Sequence, residues 1–481
     1  MSLALKATAM RLGWLMWVFL LAGLNPGQAQ AQRQVTGQKD PVGLIDSMTL
    51  EQAMVFARDH HPRLKAEVAR VALAEERARE PGQGWFPRIG ATVQVVGSSN
   101  NNSATNWLGS RGAVEFPRIA GTGFLQAPSD VNWKPYLSTA VGLSAEQRLF
   151  DFGRIAAETA AADALAEAQR ARKDERELGV DLGVRESYYA TRAAHSVLEV
   201  ARQAAHRASL HHDEAHARVA QGVRPRIEDV RAEADLARFD VGVLRAEAGL
   251  YSAEIAFGEA VGRSTPLDAI EGPEAAGAEI VPSLDAELAL AAQHDPSVRD
   301  ARLRLQAAHE RAHAAAAQLR PDLWAVASVM GAAGGAPREN SQTQTWGAGA
   351  VPWVPDYFAG VVLAWRFFDP VANARTKSAE QETHVSEAEL ESTEEESLIR
   401  VQQAWVRADV ATKALRGLER SVAAARANYE QAEVRFESGL GTSVELADAE
   451  ALRTSAEVEL ALGRFEVSRA QAQLLRVVGG S

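Results

Sequence analysis

The spacing of apolar and polar positions divides this chain into long stretches of helical period, interrupted by short stretches of period two. From Met48 the run LEQAMVFARDHHPRLKAEVARVALAEERARE keeps helical spacing up to Pro81; Thr49 is placed to cap its start, and His61-Pro62 marks a kink or a helix junction. The period then changes. Ile89, Ala91, Val93 and Val95 alternate with Thr92 and Gln94, and Leu137, Thr139, Val141 and Leu143 alternate with Ser138, Ala140, Gly142 and Ser144. These patterns predict strands over about 85–97 and 135–151, close to the roughly ten residues a tilted membrane strand needs. Residues 98–134, rich in Asn, Ser, Gly and Pro with scattered Trp107, Phe116, Phe124 and Trp133, read as a long loop of the extracellular kind.

From Gly153 to Ala220 there is no proline and very little glycine, which predicts a helix over about 153–220. At ~1.5 Å per residue such a helix is on the order of 100 Å long, too long for a compact globular domain. Leu178, Leu182 and Tyr189 form a stripe that calls for a partner helix alongside. After a tip at about 221–226 the chain returns as a helix from about Ile227 to Gly262, and residues 263–283 form a Pro/Gly/acidic connector.

The plan then repeats. Leu50 matches Leu284, Pro62 matches Pro296, Pro87 matches Pro321 and Gly97 matches Gly331, all at one offset; Phe150-Asp151 matches Phe368-Asp369, Gly222 matches Gly439 and Gly262 matches Gly479. One unit therefore spans 48–262 and a second 284–479, after a leader at 32–47. The second unit is expected to hold strands over about 322–331 and 358–369, a long helix over about 371–437 and a tip at about 438–443. In its last strand Val361, Leu363, Trp365 and Phe367 share one face, with Val362, Ala364 and Arg366 on the other. Along its long helix Leu398, Val401, Trp405, Ala408, Thr412 and Leu415 alternate by threes and fours; after one slip Leu418, Val422, Ala425, Tyr429, Ala432 and Phe436 do the same, as in a coiled coil.

The chemistry of interest lies at the tips. Gly222, Gly439 and Gly441 supply the backbone freedom that a helix end needs, and Thr442 or Ser443 is placed to cap the returning helix. Glu445 and Asp448 then fall three apart on one helix face, and Glu228 stands six residues after Gly222 as Glu445 does after Gly439. An ordinary solvated pair at a helix N-terminus would look the same. His206, His211, His212 and His216 cluster on the first long helix, where exposed polar positions are the simpler reading. Trp85, Trp133, Trp324 and Trp353 near strand ends are candidates for an interfacial girdle.

Composition narrows the class. The 481 residues are 46% hydrophobic but only 6% aromatic, so Ala, Leu and Val in closely packed helices carry the apolar content. A formal charge of -12 argues against a nucleic-acid partner, and the absence of cysteine excludes disulfides, thiolate metal sites and thiol nucleophiles. Lys6 and Arg11, the apolar run Leu12 to Leu24 and Ala29-Gln30-Ala31 read as a signal peptide over 1–31. There is no nucleophile elbow, HExxH or phosphate-cradling glycine loop, so neither enzyme nor cofactor is expected.

Four membrane strands cannot close a barrel alone, since lipid leaves an open edge unsatisfied. Two chains would supply eight strands and three would supply twelve, the latter beginning to leave a lumen. RLFDFGR at Arg148 to Arg154, RFFDPVANAR at Arg366 to Arg375 and the tip YEQAEVRFESGLGTSVELADAEAL, on the duplicated plan, make the chain resemble the TolC family of outer-membrane efflux proteins over essentially its whole mature length.

The resemblance implies a mostly α fold with transmembrane β: a homotrimer whose twelve-stranded β-barrel crosses outer-membrane lipid and continues as a periplasmic α-helical barrel. It also implies a passive exit channel for a tripartite efflux pump or a type I secretion system, docking on a periplasmic adaptor and served by an inner-membrane pump of the RND, MFS or ABC type. By position, Glu445, Asp448 and Glu228 match acidic residues of the periplasmic entrance, and the tips at Gly222, Gly439 and Gly441 are where an adaptor would dock. Where relatives can carry a Tyr and an Arg that latch the entrance, this chain has Phe436 and Gly441. The alternative is a non-channel periplasmic coiled-coil scaffold or adaptor.

Overall fold

The computed structural model describes residues 46–98, 136–271, 282–334 and 354–480. The signal peptide and almost all of the leader, the loop with Trp107, Phe116, Phe124 and Trp133, the middle of the connector (272–281), and Trp353 lie outside the described residues.

Strand β1 (Asp46–Met48) leads into α1 (Leu50–His60) and α2 (Pro62–Arg79). Thr49 and Gln52 close a reciprocal cap on α1, and His61 caps α2, whose first residue is Pro62. A 3₁₀ turn over Pro81–Trp85 precedes β2 (Arg88–Ser98), so the strand starts later than the sequence period places it. Strand β3 (Tyr136–Phe150) then runs into α3 (Arg154–Ala220), which α4 (Arg226–Val261) and β4 (Leu267–Ala269) follow. The second copy comprises α5 (Leu284–His294), α6 (Pro296–Ala317), β5 (Asp322–Gly334), β6 (Val354–Ala364), α7 (Pro370–Glu437) and α8 (Ser443–Val478).

Each long helix starts from an aspartate that turns strand into helix. Asp151 accepts from the backbone N–H of Gly153 at 3.1 Å and of Ile155 at 2.8 Å, across a corner where Phe152 and Gly153 both have positive φ. Asp369 accepts from Val371 and Ala372, both at 3.0 Å.

Strand β6 corrects the sequence expectation of 358–369. It begins at Val354 and stops at Ala364, and Trp365 instead turns its indole N–H onto the Leu319 carbonyl at 3.1 Å. The early start takes Pro355 into the strand as its second residue, beside the end of the ladder at Val354. The stripe on α3 also differs: Val180, Val184 and Tyr188 are buried, while Leu178, Leu182 and Tyr189 are partly exposed. On α7, Val401, Ala408, Val422, Ala425, Tyr429 and Phe436 are buried as their spacing requires, whereas Leu398 is 44% exposed.

β2, β3, β5 and β6 form one antiparallel sheet in that order. Its register separates two chemistries. Val93 faces Val141, Leu143 faces Val329, and Val329 faces Tyr357, so one face runs apolar across all strands. Val93, Leu143, Val329, Val361 and Leu363 are all well exposed there. The opposite face holds Arg88 and Glu146, paired at 3.8 Å, and Arg148 lying 4.4 Å over the Trp324 ring. Trp324 is therefore on the polar face, which removes it from a lipid-facing girdle.

The helices cross between copies. α3 packs on α4, on α6 and on α8, and α7 packs on α6 and α8. Leu50, Ala57, Val184, Tyr188, Phe257 and Val261 form the main core, beside the small β1–β4 pair. The second copy repeats it with Ala404, Ala408, Leu474 and Val478. Tyr188 donates to the Ile270 carbonyl at 2.8 Å, and Trp405 donates to that of Pro282 at 2.7 Å, so each copy anchors one described part of the connector with one aromatic.

Candidate channel entrance

Both tips are built from the same backbone device. Gly222 and Gly439 each take φ 75°, and the following residues bond back into the helix: Val223 N–H to Arg218 O at 3.0 Å and Leu440 N–H to Arg435 O at 2.9 Å. Gly441 closes the second tip further, its N–H reaching Arg435 O at 2.8 Å. A Cβ at Gly441 would lie 3.0 Å from the Phe436 nitrogen, so the turn has no room for a side chain without shifting. Thr442 caps α8 by accepting from Glu445 N–H at 3.2 Å; Ser443, the other candidate, is already the first helical residue.

The acidic positions sit in different surroundings. Glu228 is half withdrawn, pairing with Arg224 at 3.1 Å, while Glu445 is exposed with Arg435 at 3.8 Å. Asp448 is exposed one turn along α8. Among the described residues the three carboxylates do not converge into one close cluster within this chain.

Phe436 joins the two tips. Its ring is buried against Tyr429, Leu446 and Ala449, and the guanidinium groups of Arg218 and Arg224 from the first hairpin lie 5.3 and 5.6 Å from its centroid. Phe436 is thus a contact between the hairpins, made through its ring.

Deeper in, α3 and α8 are tied by Arg207 and Glu450. Glu450 also accepts from Thr454 at 3.1 Å, and Tyr429 donates to Glu433 at 2.9 Å while its oxygen meets His211 Nε2 at 2.9 Å. Burial foremost, then Glu433, holds the Tyr429 hydroxyl far above its ordinary range, so it stays protonated and donating. Sequence reading missed this network. Its signal was the spacing of Glu450 and Glu457, seven apart on the helix face that also buries Leu446 and Ala449.

The histidines divide between partners. His211 joins Tyr429, His212 and His216 stack at 6.2 Å, and His216 Nδ1 lies 3.2 Å from Asp229, while His206 is exposed.

A sheet with one apolar face, carried on paired hairpins with helices about 100 Å long, defines a membrane duct with a helical extension rather than a catalytic domain. The sequence matches the outer membrane efflux protein family over residues 55–263 and 288–480, and the chain belongs to that family. It is therefore an outer-membrane efflux channel protein that extends into the periplasm, and not an enzyme.

Among solved structures it is similar to the outer-membrane channel OprN, at 21% identity and TM-score 0.67 with 90% of each chain covered. It is also similar to VceC from Vibrio cholerae, at 17% identity and TM-score 0.68, covering 90% of this chain and 96% of that one. A third is the open state of MtrE from Neisseria gonorrhoeae, at 18% identity and TM-score 0.68, covering 90% and 89%. No curated protein sequence matches the chain.

Proposed function

We propose that the chain assembles as a homotrimer, forming the passive exit duct of a tripartite efflux pump, with Glu445, Asp448 and Glu228 ringing its periplasmic mouth. The single observation behind this reading is the sheet: among the described residues its outer strands β2 and β6 each pair on one side only, and one face is apolar across all four strands. Such edges cannot be left open in lipid, and three copies give the strand number at which a lumen begins. Repeated carboxylates around a narrow mouth would concentrate cations.

The tips at Gly222, Gly439 and Gly441 are the docking points for a periplasmic adaptor. Exposed Val223 and Ile227 on one hairpin and Leu440 and Val444 on the other supply apolar contacts for it. Service in type I secretion belongs to the same reading, since an adaptor and its pump choose the cargo.

The test is native mass measurement of the detergent-solubilised protein with planar-bilayer recording. A species of three chains with stable ion conductance is expected; a monomer or dimer without conductance overturns the reading.

A further inference from the structure

Away from the tips, the end of the first copy gathers three ligand-type side chains. His195 lies on α3, Glu254 on α4 and Asp268 in β4, and one ligand atom from each lies within 4.8 Å of the other two. His195 Nε2 is 2.6 Å from Asp268 Oδ1. Glu254 is 6% exposed and makes no hydrogen bond or ion pair with another described residue. Burial foremost, and the Asp268 charge next, push its carboxyl above the ordinary range, with His195 pulling the other way. Glu254 thus stands beside a second carboxylate, with His195 offsetting that charge only in part.

The duplication shows that the fold does not demand this charge. At the offset that aligns Gly222 with Gly439 and Gly262 with Gly479, Thr412 stands opposite His195 and Gln471 opposite Glu254. The second copy thus builds the corresponding helix pair with neutral side chains. Arg192, one turn before His195, is engaged elsewhere, on the Ala269 carbonyl and Glu271.

We propose that His195, Glu254 and Asp268 bind a divalent transition-metal cation of the zinc class, which pins α3, α4 and β4 together at the end of the first copy. One imidazole and two carboxylates form a nitrogen and oxygen donor set whose two negative charges balance the ion, and water completes the coordination. Tetrahedral ligation at about 2.0–2.2 Å separates ligand atoms by about 3.3 Å, so His195 and Asp268 open slightly on binding. The site is unlike the His212, His216 and Asp229 group, whose His216 is exposed.

The test titrates the full chain, purified in detergent and stripped with chelator, with Co²⁺ followed by its visible d–d absorption and with Zn²⁺ in competition. One equivalent per chain is expected, with a rise in melting temperature. His195→Ala and Glu254→Gln should each weaken binding roughly tenfold or more. Glu254→Gln places in the first copy the residue that the second copy already has, so its helicity and assembly should persist, and these are measured alongside. No saturable binding up to about 1 mM overturns the proposal. So does binding that survives both substitutions, or binding that is lost instead in a His212→Ala/His216→Ala variant.

Discussion

Arg207 on the first long helix grips Glu450 on the last helix through two nitrogens, Nε at 3.0 Å from both carboxylate oxygens and Nη2 at 2.8 Å from Oε1. Glu450 is only 3% exposed, so the pair fastens the two copies to each other in a water-poor position near the tips. Burial works against the Arg207 charge, but the Glu450 carboxylate more than offsets it and raises the guanidinium above its ordinary value.

Breaking that pair from one side strands the other charge. Glu450→Ala is expected to destabilise the helical region by about 3 kcal/mol, read as a lowered unfolding midpoint at 222 nm, and Arg207→Ala by a similar amount. Replacing both with apolar residues of similar volume, as in Arg207→Met with Glu450→Leu, should recover most of the loss. If the double variant is as unstable as the worse single one, the pair is not the reason.

For the proposed mouth, Glu445→Ala with Asp448→Ala should weaken block of single-channel current by multivalent cations and leave oligomeric mass unchanged. Glu228→Ala should do less, because Arg224 at 3.1 Å already offsets its charge. Equal block in all variants would return these carboxylates to ordinary helix-end roles.

His61 and Asp295 occupy matching helix junctions, and acid acts on them in different windows. Burial first, then Arg63, lowers the His61 pKa, so the unfolded chain takes up the proton first. The stability contributed by neutral His61 is therefore present above about pH 6.5 and is lost as pH falls from there through the lower folded-state value. For Asp295, burial acts upward, but hydrogen bonds from Ser397 at 2.5 Å and Ser297, with Arg400 at 3.2 Å, hold the carboxyl below its ordinary range. Its contribution is present above about pH 4 and is lost as pH falls below that. Melting temperature against pH should lose its upper acid step in His61→Asn and its lower one in Asp295→Asn.

Gly258 is where two backbone segments nearly touch: a Cβ there would fall 2.1 Å from the Thr265 carbonyl oxygen. Gly258→Ala should therefore destabilise the end of the first copy by about 2 kcal/mol or more, whereas Gly417→Ala, with open space around it, should not destabilise. Paired thermal melts check both.

Much of this architecture is legible in the sequence alone, because it depends on local period and on repetition. Long proline-free runs specify helices regardless of what they touch, and the Gly222 and Gly439 tips follow from backbone sterics alone. The register pairs Val93 with Val141 as the alternation of each strand required. Where the sequence misled, a neighbour decided: Trp365 leaves β6 to meet Leu319. Arg207 with Glu450, the ring of Phe436 beneath Arg218 and Arg224, and the gathering of His195, Glu254 and Asp268 lay beyond any periodicity. Those partners are tens to hundreds of residues apart in the chain, and only the packing of one hairpin on another sets their distances.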